Sequence, residues 1–522
     1  MFQFVGLFLH FLDQLLLLFP LIIIIIFLLL RFLRSNNPGQ RRLPPSPPGG
    51  SFPILGHLNL LKNPLHRTLA KLSAKHGPIL LLHFGSRPVL LISSPSAAQE
   101  CLTKNDIAFA SRPRLSVGKH LGCNYTNILW APYGPHWRNQ RRIATLQILS
   151  PARIHMYGSV RTEEVKFLIR RLCGGTGENG FRMVEMKKVF FETVLNVMMR
   201  MIAGKRYCGE RESEEAERFR EIVKEGFKVS GATNMGDFLP NFLKWVGLWS
   251  GIEKRMERLQ GLRDGFMQNL IEERRRMRRD KGDEMKESRV MADVLLDLQQ
   301  TEPHYYTDAF IRGMMQGMLS AGTDTSSATM EWAFSLLLNH PNSLLKVQEE
   351  IDTHVGPNRL LQESDLSNLP FLNSVLKETL RIYPVAPLLV PHESSQDCVV
   401  GGFHVPRGTM LLVNNWAIQN DSDSWPDPAE FKPERFQDAG EVEEGLRWLP
   451  FGAGRRGCPG EGLAMRMVGL TLGCLIQCFE WRRVGEEMVD MSEGGGLTMP
   501  RARPLWANYR PRPILLRLLP TF

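Results

Sequence analysis

The sequence predicts a mainly α globule with a minor β part, set behind an N-terminal transmembrane helix. Three observations lead to this class. Between Pro95 and about Leu380 most segments repeat apolar residues at helical spacing and carry helix caps. Strand signals are short and confined to the stretch before Pro95 and the stretch after Tyr383. Residues 1–30 are almost wholly apolar.

Composition narrows the possibilities. The chain has 522 residues, of which 43% are hydrophobic and 23% charged, so it can bury a large core and is not disordered. A net charge of +10 points to an anionic membrane surface, an acidic protein partner or nucleic acid. No paired CxxC and no RNP-like strand occurs, so no nucleic-acid binding is expected. The 8 cysteines are irregularly spaced, unlike a secreted disulfide framework, and no Cys/His cluster has zinc-finger spacing. Most of them are expected to be small buried apolar side chains.

Leu15 to Leu30 carries no charge, and Phe4 to Leu12 before it is mostly apolar. Together they exceed the roughly twenty residues that cross a bilayer as a helix. Pro20 is tolerable there. A cleaved signal peptide is the alternative; the length of the run and the lack of a basic n-region and a small-residue cleavage site weigh against it. Arg31, Arg34, Arg41 and Arg42 follow, and positive charge stays on the cytoplasmic side. Residues 1–30 are therefore read as an anchor, with the rest in the cytosol. Residues 31–50 form a basic, Pro-rich linker. Its segment Leu43-Pro-Pro-Ser-Pro-Pro-Gly-Gly50 is an extended, semi-rigid spacer. Residues 51–522 show no repeat and no second shift of composition, and are read as one domain.

Within that domain, Ile79–Phe84 and Pro88–Ile92 flank a short turn and predict a hairpin. Glu272 to Arg289, rich in arginine, reads as a solvated helix end and loop. After Tyr383 come short strands and Pro/Gly turns, as in Val399-Val-Gly-Gly-Phe-His-Val405, and a last helix follows Cys458.

The segment Phe451-Gly-Ala-Gly-Arg-Arg-Gly-Cys-Pro-Gly460 stands out. Its glycines permit left-handed turns and close backbone approach, so a flat cofactor can lie against the loop. Amide groups of the turn and of the following helix start can point at the Cys458 sulfur and favour a thiolate. A glycine-rich turn around an incidental buried cysteine is the plain alternative. A second segment, Ala321-Gly-Thr-Asp-Thr-Ser326, interrupts an otherwise apolar helical stretch running from Thr307-Asp308 to Leu338, roughly 45–50 Å long. The Thr325 hydroxyl can bond back toward the Ala321 carbonyl and open a groove. An interruption made only for packing is the alternative here.

The first segment resembles the haem-binding signature of the cytochromes P-450, F-x-x-G-x-R-x-C-x-G, at Phe451, Gly454, Arg456, Cys458 and Gly460. The second resembles that family's A/G-G-x-D/E-T-T/S. Glu378-Thr-Leu-Arg381 matches its E-x-x-R, Pro433-Glu-Arg-Phe436 its P-E-R-F, and Trp137-Arg-Asn-Gln-Arg141 its W-x-x-x-R.

The resemblance implies the cytochrome P-450 fold, a single haem-containing globule, with heme b as cofactor. It implies Cys458 as the axial ligand of the iron, whose thiolate favours O–O cleavage. Phe451 would pack beside the thiolate. Arg456, Trp137, Arg141 and His392 would reach the propionates. Glu378, Arg381 and Arg435 would form a buried structural network clasping the cysteine loop. Thr325 would hydrogen-bond the oxygen being activated, and Asp324 would feed protons from solvent. Met314, Gly317, Met318, Ala321, Val385 and Leu388 would line an apolar, adjustable substrate pocket.

Closer similarity is to plant microsomal members, through Arg42-Leu-Pro-Pro-Ser-Pro-Pro48, Phe109-Ala-Ser-Arg-Pro113, Tyr133-Gly-Pro-His-Trp-Arg138 and Leu389-Val-Pro-His-Glu-Ser394. The subgroup it looks most like contains isoflavone 2′/3′-hydroxylases, xanthone hydroxylases and sesamin synthases. This implies a monooxygenase of the endoplasmic reticulum membrane, acting on an apolar small molecule (flavonoid, lignan, xanthone or terpenoid). No convincing flavin or nicotinamide fingerprint is present. NADPH and flavins would therefore act only through a partner, the NADPH-cytochrome P-450 reductase, expected to dock on Arg138, Arg142 and Arg455. Methylenedioxy-bridge formation, peroxide rearrangement and a non-catalytic haem-binding role are the alternatives.

Overall fold

Before Pro95 the apolar alternation folds back on itself. In this computed structural model, which describes residues 42–48, 54–173, 180–209, 214–230, 234–239, 250–281, 289–437 and 446–521, α1 (Leu65–His76) leads into β1 (Ile79–Phe84). β1 pairs antiparallel with β2 (Arg87–Ile92) in the expected hairpin, Phe84 opposite Arg87. The expected anchor over residues 1–30 lies outside the described residues, as does much of the linker. Among the described residues no helix is long and apolar enough to cross a membrane. The described part of the linker is pinned to the globule. The Leu81 amide donates to the Pro45 carbonyl at 2.9 Å, and the His404 amide to the Arg42 carbonyl at 2.7 Å.

The helical body comprises α2 (Pro135–Arg142), α3 (Gly158–Cys173), a short β3 (Arg182–Glu185), α4 (Met186–Ala203), α5 (Glu214–Ser230) and α6 (Ser250–Lys281). It continues with α7 (Met291–Thr301), α8 (Asp308–Asn339), α9 (Pro341–His354) and α10 (Pro370–Ile382). α8 has 32 residues, which at 1.5 Å per residue is about 48 Å. The Thr307 hydroxyl caps its start by accepting the Phe310 amide, and Pro341, unable to continue the ladder, opens α9. Ile311, Met315, Trp332, Phe334 and Leu337 are all fully buried. They fall on different sides of α8, so it is a core helix and not an amphipathic one.

The arginine-rich run is a correction to the expected solvated end. Arg274 is buried and bonds both oxygens of Asp293 on α7, at 2.7 and 2.5 Å. Arg275 reaches Asp308 at the start of α8, and Arg278 reaches Asp297. The run is thus a strap tying α6 to α7 and α8. Its register could not be foreseen because the acidic partners lie up to 33 residues away.

The β part after Tyr383 holds β4 (His392–Glu393), β5 (Cys398–Val400), β6 (Phe403–Val405) and β7 (Met410–Val413). It is followed by α11 (Glu461–Cys478), β8 (Phe479–Arg483) and β9 (Trp506–Pro511). One sheet has the order β1-β2-β7-β4, with β2 and β7 parallel and the other pairs antiparallel. β3, β9 and β8 form a second, antiparallel sheet. β5 and β6 close a two-residue hairpin through Gly401 and Gly402, at φ of 57° and 78°. Both positions need the left-handed region, which explains the glycine pair. The main core gathers α3, α4, α8, α9, α10 and α11 around apolar side chains such as Phe190, Phe334, Leu372 and Leu475.

Candidate functional site

The middle of α8 departs from the rest of the helix. Residues on either side are buried, yet Ala321 is exposed and Gly322, Asp324 and Thr325 are half-buried. An exposed residue at the centre of a core helix means that the helix borders an internal space. As expected, the Thr325 hydroxyl donates to the Ala321 carbonyl, at 2.6 Å. The helix nonetheless runs unbroken from Asp308 to Asn339. The Asp324 carboxyl accepts a hydrogen bond from the Thr498 hydroxyl at 2.7 Å. Burial pushes that carboxyl above the ordinary aspartate range; the Thr498 bond and Lys187 pull it down only in part.

The cysteine loop lies beneath. Ala328 of α8 packs with Val385 and Leu380, and Phe451 and Met465 of the loop and α11 close on this cluster. The Cys458 amide donates to the Phe451 carbonyl at 2.8 Å, and the Gly457 amide to the Gly454 carbonyl at 3.0 Å. Gly454 has φ of 67°, and a Cβ there would stand 2.2 Å from the Leu102 carbonyl oxygen, so only glycine fits. The Gly460 amide donates to the Cys458 sulfur at 3.3 Å.

The amides point at the sulfur and favour its thiolate as expected, but they do not decide its protonation alone. Burial pushes the Cys458 thiol up, and the Gly460 and Glu461 amides and Arg141 offset this only in part. The side chain is at once exposed and surrounded by protein, because it too opens on an internal space. Such a sulfur loses its proton when a cation, such as a metal ion, is brought against it.

Beside the loop sits an uncompensated group of cations. Arg456 donates to the carbonyls of Ala110, Ile128 and Ala131, and stacks over Trp137 at 4.3 Å. The Trp137 indole donates to the Ile128 carbonyl at 3.0 Å. Arg141 donates to the Gly457 carbonyl at 2.5 Å. Arg112 donates to the carbonyls of Leu129, Val390 and Pro391. Among the described residues none of the three guanidinia has a carboxylate partner.

Burial, and then Arg141, lower the Arg456 pKa to about 9. Burial and Arg456 lower that of Arg112 strongly. His392 is buried, and burial with Arg112 and Arg456 keeps it neutral. Its Nδ1–H donates to the Phe109 carbonyl at 2.8 Å, so its Nε2 offers a lone pair. As a donor to a propionate it is less well prepared than expected. Arg112 is the stronger donor, and sequence reasoning missed it as a site residue although it stands within the quoted Phe109–Pro113 segment. Thr498 was missed too, with no local signal: it lies 174 residues from Asp324.

The expected network is present in full. Arg381 donates to Glu378 at 2.7 and 2.9 Å, and Arg435 joins the same carboxylate at 3.0 Å. Glu378 and Arg381 are both fully buried. The expected pocket residues divide. Ala321 is exposed, and Gly317, Met318 and Leu388 are half-buried. Met314, however, is packed into the main core and Val385 into the cluster over Phe451. Their apolar character comes from packing, which helical spacing alone cannot tell apart from pocket lining. On the outer surface Arg138 and Arg142 are exposed, whereas Arg455 is paired with Asp106 at 3.2 Å, which makes it a weaker docking residue than expected.

Residues 44–507 match the family model described as Cytochrome P450. The chain is a cytochrome P-450. The isoflavone 3′-hydroxylase of Medicago truncatula is 48% identical over 91% of this chain and 93% of its own length. The (+)-piperitol/(+)-sesamin synthase of Sesamum radiatum is 47% identical over 92% of each. A zebrafish cytochrome P450 solved with progesterone superposes with a TM-score of 0.73 at 28% identity, over 86% of this chain and 100% of its own. The protein is therefore a monooxygenase of this family, and membership implies a haem. The residues present fit that group. Three guanidinia without counter-ions among the described residues, Arg112 buried and Arg141 and Arg456 half-buried, suit a cofactor bearing two carboxylates, and a lone sulfur on a glycine-lined turn suits an iron that brings its other ligands with it.

Proposed function

We propose that this cytochrome P-450 inserts one oxygen atom from O2 into an apolar plant specialised metabolite, most often as a hydroxyl group. The observation that carries the reading is the grouping of Arg112, Arg141 and Arg456, without carboxylates, around the Cys458 loop and next to the opened centre of α8. In this reading the Cys458 sulfur would hold the haem iron, and Arg112, Arg141, Arg456 and Trp137 would hold the propionates. Bound haem supplies the redox chemistry that activates dioxygen. The chain's own residues do the rest. Ala321, Gly317 and Met318 form an apolar, water-excluding face for the substrate. Asp324, whose carboxyl burial makes easier to protonate and Thr498 orients, passes protons inward. Thr325 is the next residue of α8, and its oxygen can take part in that transfer once its hydroxyl turns from the Ala321 carbonyl.

Glu378, Arg381 and Arg435 have no role in the chemical step; they hold the loop. Residues 1–30 anchor the protein in the endoplasmic reticulum membrane, residues 31–50 set the globule against it, and residues 51–522 form the catalytic domain. Electrons come from NADPH through a flavin reductase. The similarity to a named sesamin synthase supports a second outcome on the same site, closure of a methylenedioxy ring.

The test is turnover of a panel of isoflavonoids, lignans, xanthones and terpenoids by membranes carrying the protein and a plant reductase. Substrate-dependent NADPH consumption with an oxygenated product supports the reading. Consumption with no panel member, alongside intact haem, counts against it.

A further inference from the structure

α5, α6 and α8 enclose a recess beside Ser320, the residue preceding the exposed Ala321. Its wall is apolar and aromatic. Phe219, Ile222 and Phe227 come from α5, Phe266 from α6 and Leu319 from α8. Phe219 and Phe266 stack with centroids 4.2 Å apart. Two polar side chains break this lining, Arg263 and Ser320. The Arg263 Nη2 donates to the Ser320 hydroxyl oxygen at 3.2 Å, and Nη1 makes a long contact with Gln260 Oε1 at 3.4 Å.

No carboxylate among the described residues pairs with it. The adjacent Asp264 makes no bond to it: its Oδ1 accepts from Gln260 and Gln316 at 2.9 Å each and faces Arg312 at 3.6 Å. A guanidinium has five N–H donors. Here two are used and the others find no acceptor. Burial depresses the Arg263 pKa, and Cys123 and Asp264 offset this only in part. The Arg263 side chain is half-buried yet surrounded by protein, so it opens on the recess, and a cation held there without an anion is unfavourable unless water or a bound group supplies the acceptor.

We infer that Arg263, assisted by Ser320, is a specificity-determining residue that seats an oxygen acceptor, a ketone or an ionised oxygen, of an otherwise apolar, ring-bearing substrate. The inference rests on the proposed substrate face at Ala321. Ser320 precedes Thr325 by five residues, about 7.5 Å along the helix axis. That is roughly the length of two fused or linked aromatic rings. Five residues also turn the helix by about 500°, which puts Thr325 about 140° round from Ser320, so a substrate held at Arg263 by one end must lie across α8 past Ala321 to bring its other end to Thr325. A ring system without that oxygen would gain at most a cation–π contact from the guanidinium.

The haem-loaded full-length protein is tested with three probes of one apolar body: biphenyl, 4-acetylbiphenyl and biphenyl-4-carboxylate. Binding is read by equilibrium dialysis and by the shift each probe causes in the haem spectrum. The wild type should hold at least one oxygenated probe roughly tenfold tighter than biphenyl. Preference for the ketone alone assigns a neutral acceptor, and preference for the carboxylate an ionised one. Arg263→Met should abolish the preference and leave biphenyl binding within about twofold, and Arg263→Lys should retain part of it for the carboxylate. Should Arg263→Met fail to load haem, Ser320→Ala and Arg263→Gln carry the same comparison. Biphenyl binding without any preference in the wild type, or a preference that survives Arg263→Met, overturns the role of Arg263 and leaves the substrate face standing. If none of the probes binds, the substrate face falls, and the inference with it.

Discussion

Replacing Glu378 by Gln keeps the shape of the buried network and removes its charge. Glu378 is fully buried and its carboxylate accepts four hydrogen bonds. Two come from Arg381 at 2.7 and 2.9 Å, one from Arg435 at 3.0 Å and one from the Lys432 amide at 3.0 Å. Arg381 is equally buried and would keep only neutral acceptors, the remaining amide oxygen and the carbonyls of Gln419 and Pro428 at 2.9 Å and of Glu430 at 3.4 Å. One oxygen would also become an amide donor facing a guanidinium. Breaking a buried pair this way costs about 3–5 kcal/mol, a large share of the ~5–15 kcal/mol that holds a domain.

The damage should reach the cysteine loop first. Arg381 grips the Gln419 carbonyl, and the Gln419 side chain in turn accepts the Leu449 amide at 2.7 Å, two residues before Phe451. Urea unfolding of Glu378→Gln, followed by tryptophan fluorescence, should show this loss of stability, with the reduced carbon monoxide band fading at lower urea than the fluorescence change. Arg435 is 12% exposed at its side chain, so Arg435→Met should cost less, about 1–2 kcal/mol. A loss below about 1 kcal/mol for Glu378→Gln, the range of an exposed pair, would refute the assignment of this network as the structural clasp.

Four further outcomes are expected. Cys458→Ser should abolish the red-shifted carbon monoxide band of the reduced protein; survival of the band removes the proposed ligand. Thr325→Ala should keep haem but release more peroxide per NADPH consumed, and unchanged coupling would take Thr325 out of proton delivery. Because burial raises the Asp324 pKa, the folded state binds the proton more tightly than the unfolded one. The wild type should therefore lose stability relative to Asp324→Asn as pH rises from the ordinary aspartate value through the raised one, with a constant difference above it; parallel denaturation midpoints across that window would contradict the direction of the shift. Arg138→Glu combined with Arg142→Glu should slow reduction at limiting reductase, and salt should slow the wild type more than the variant; equal rates at low salt would rule this face out for docking.

Much of the site is legible in the linear sequence because its chemistry is local. The turn Phe451–Gly460 needs glycine at left-handed positions such as Gly454, and that demand is written within ten residues. The bond from Thr325 to the Ala321 carbonyl is an i to i−4 contact, and the Glu378–Arg381 pair is i to i+3, so helical spacing alone places both. Family resemblance carried Arg435 into the same network. What could not be read are partners brought together by packing. Thr498 reaches Asp324, Arg112 meets the Val390–Pro391 carbonyls, and Arg274 finds Asp293, each across a chain separation that no periodicity encodes. Met314 illustrates a related point, since an apolar residue on α8 serves the core and the pocket equally well and the structure packs this one into the core.

By itself, then, the amino-acid sequence determined the mainly helical class, the 48 Å central helix, the identity of the cysteine loop and the short hairpins, since all of these follow from propensity, caps and turn chemistry acting over a few residues. The tertiary structure alone decided which charges are compensated. Arg274 and Arg381 acquired carboxylates on folding, whereas among the described residues Arg112, which is buried, and Arg141, Arg263 and Arg456, which are half-buried, have none. Compensation depends on distances of about 3 Å between atoms far apart in the chain, and on how much water the fold removes from around them.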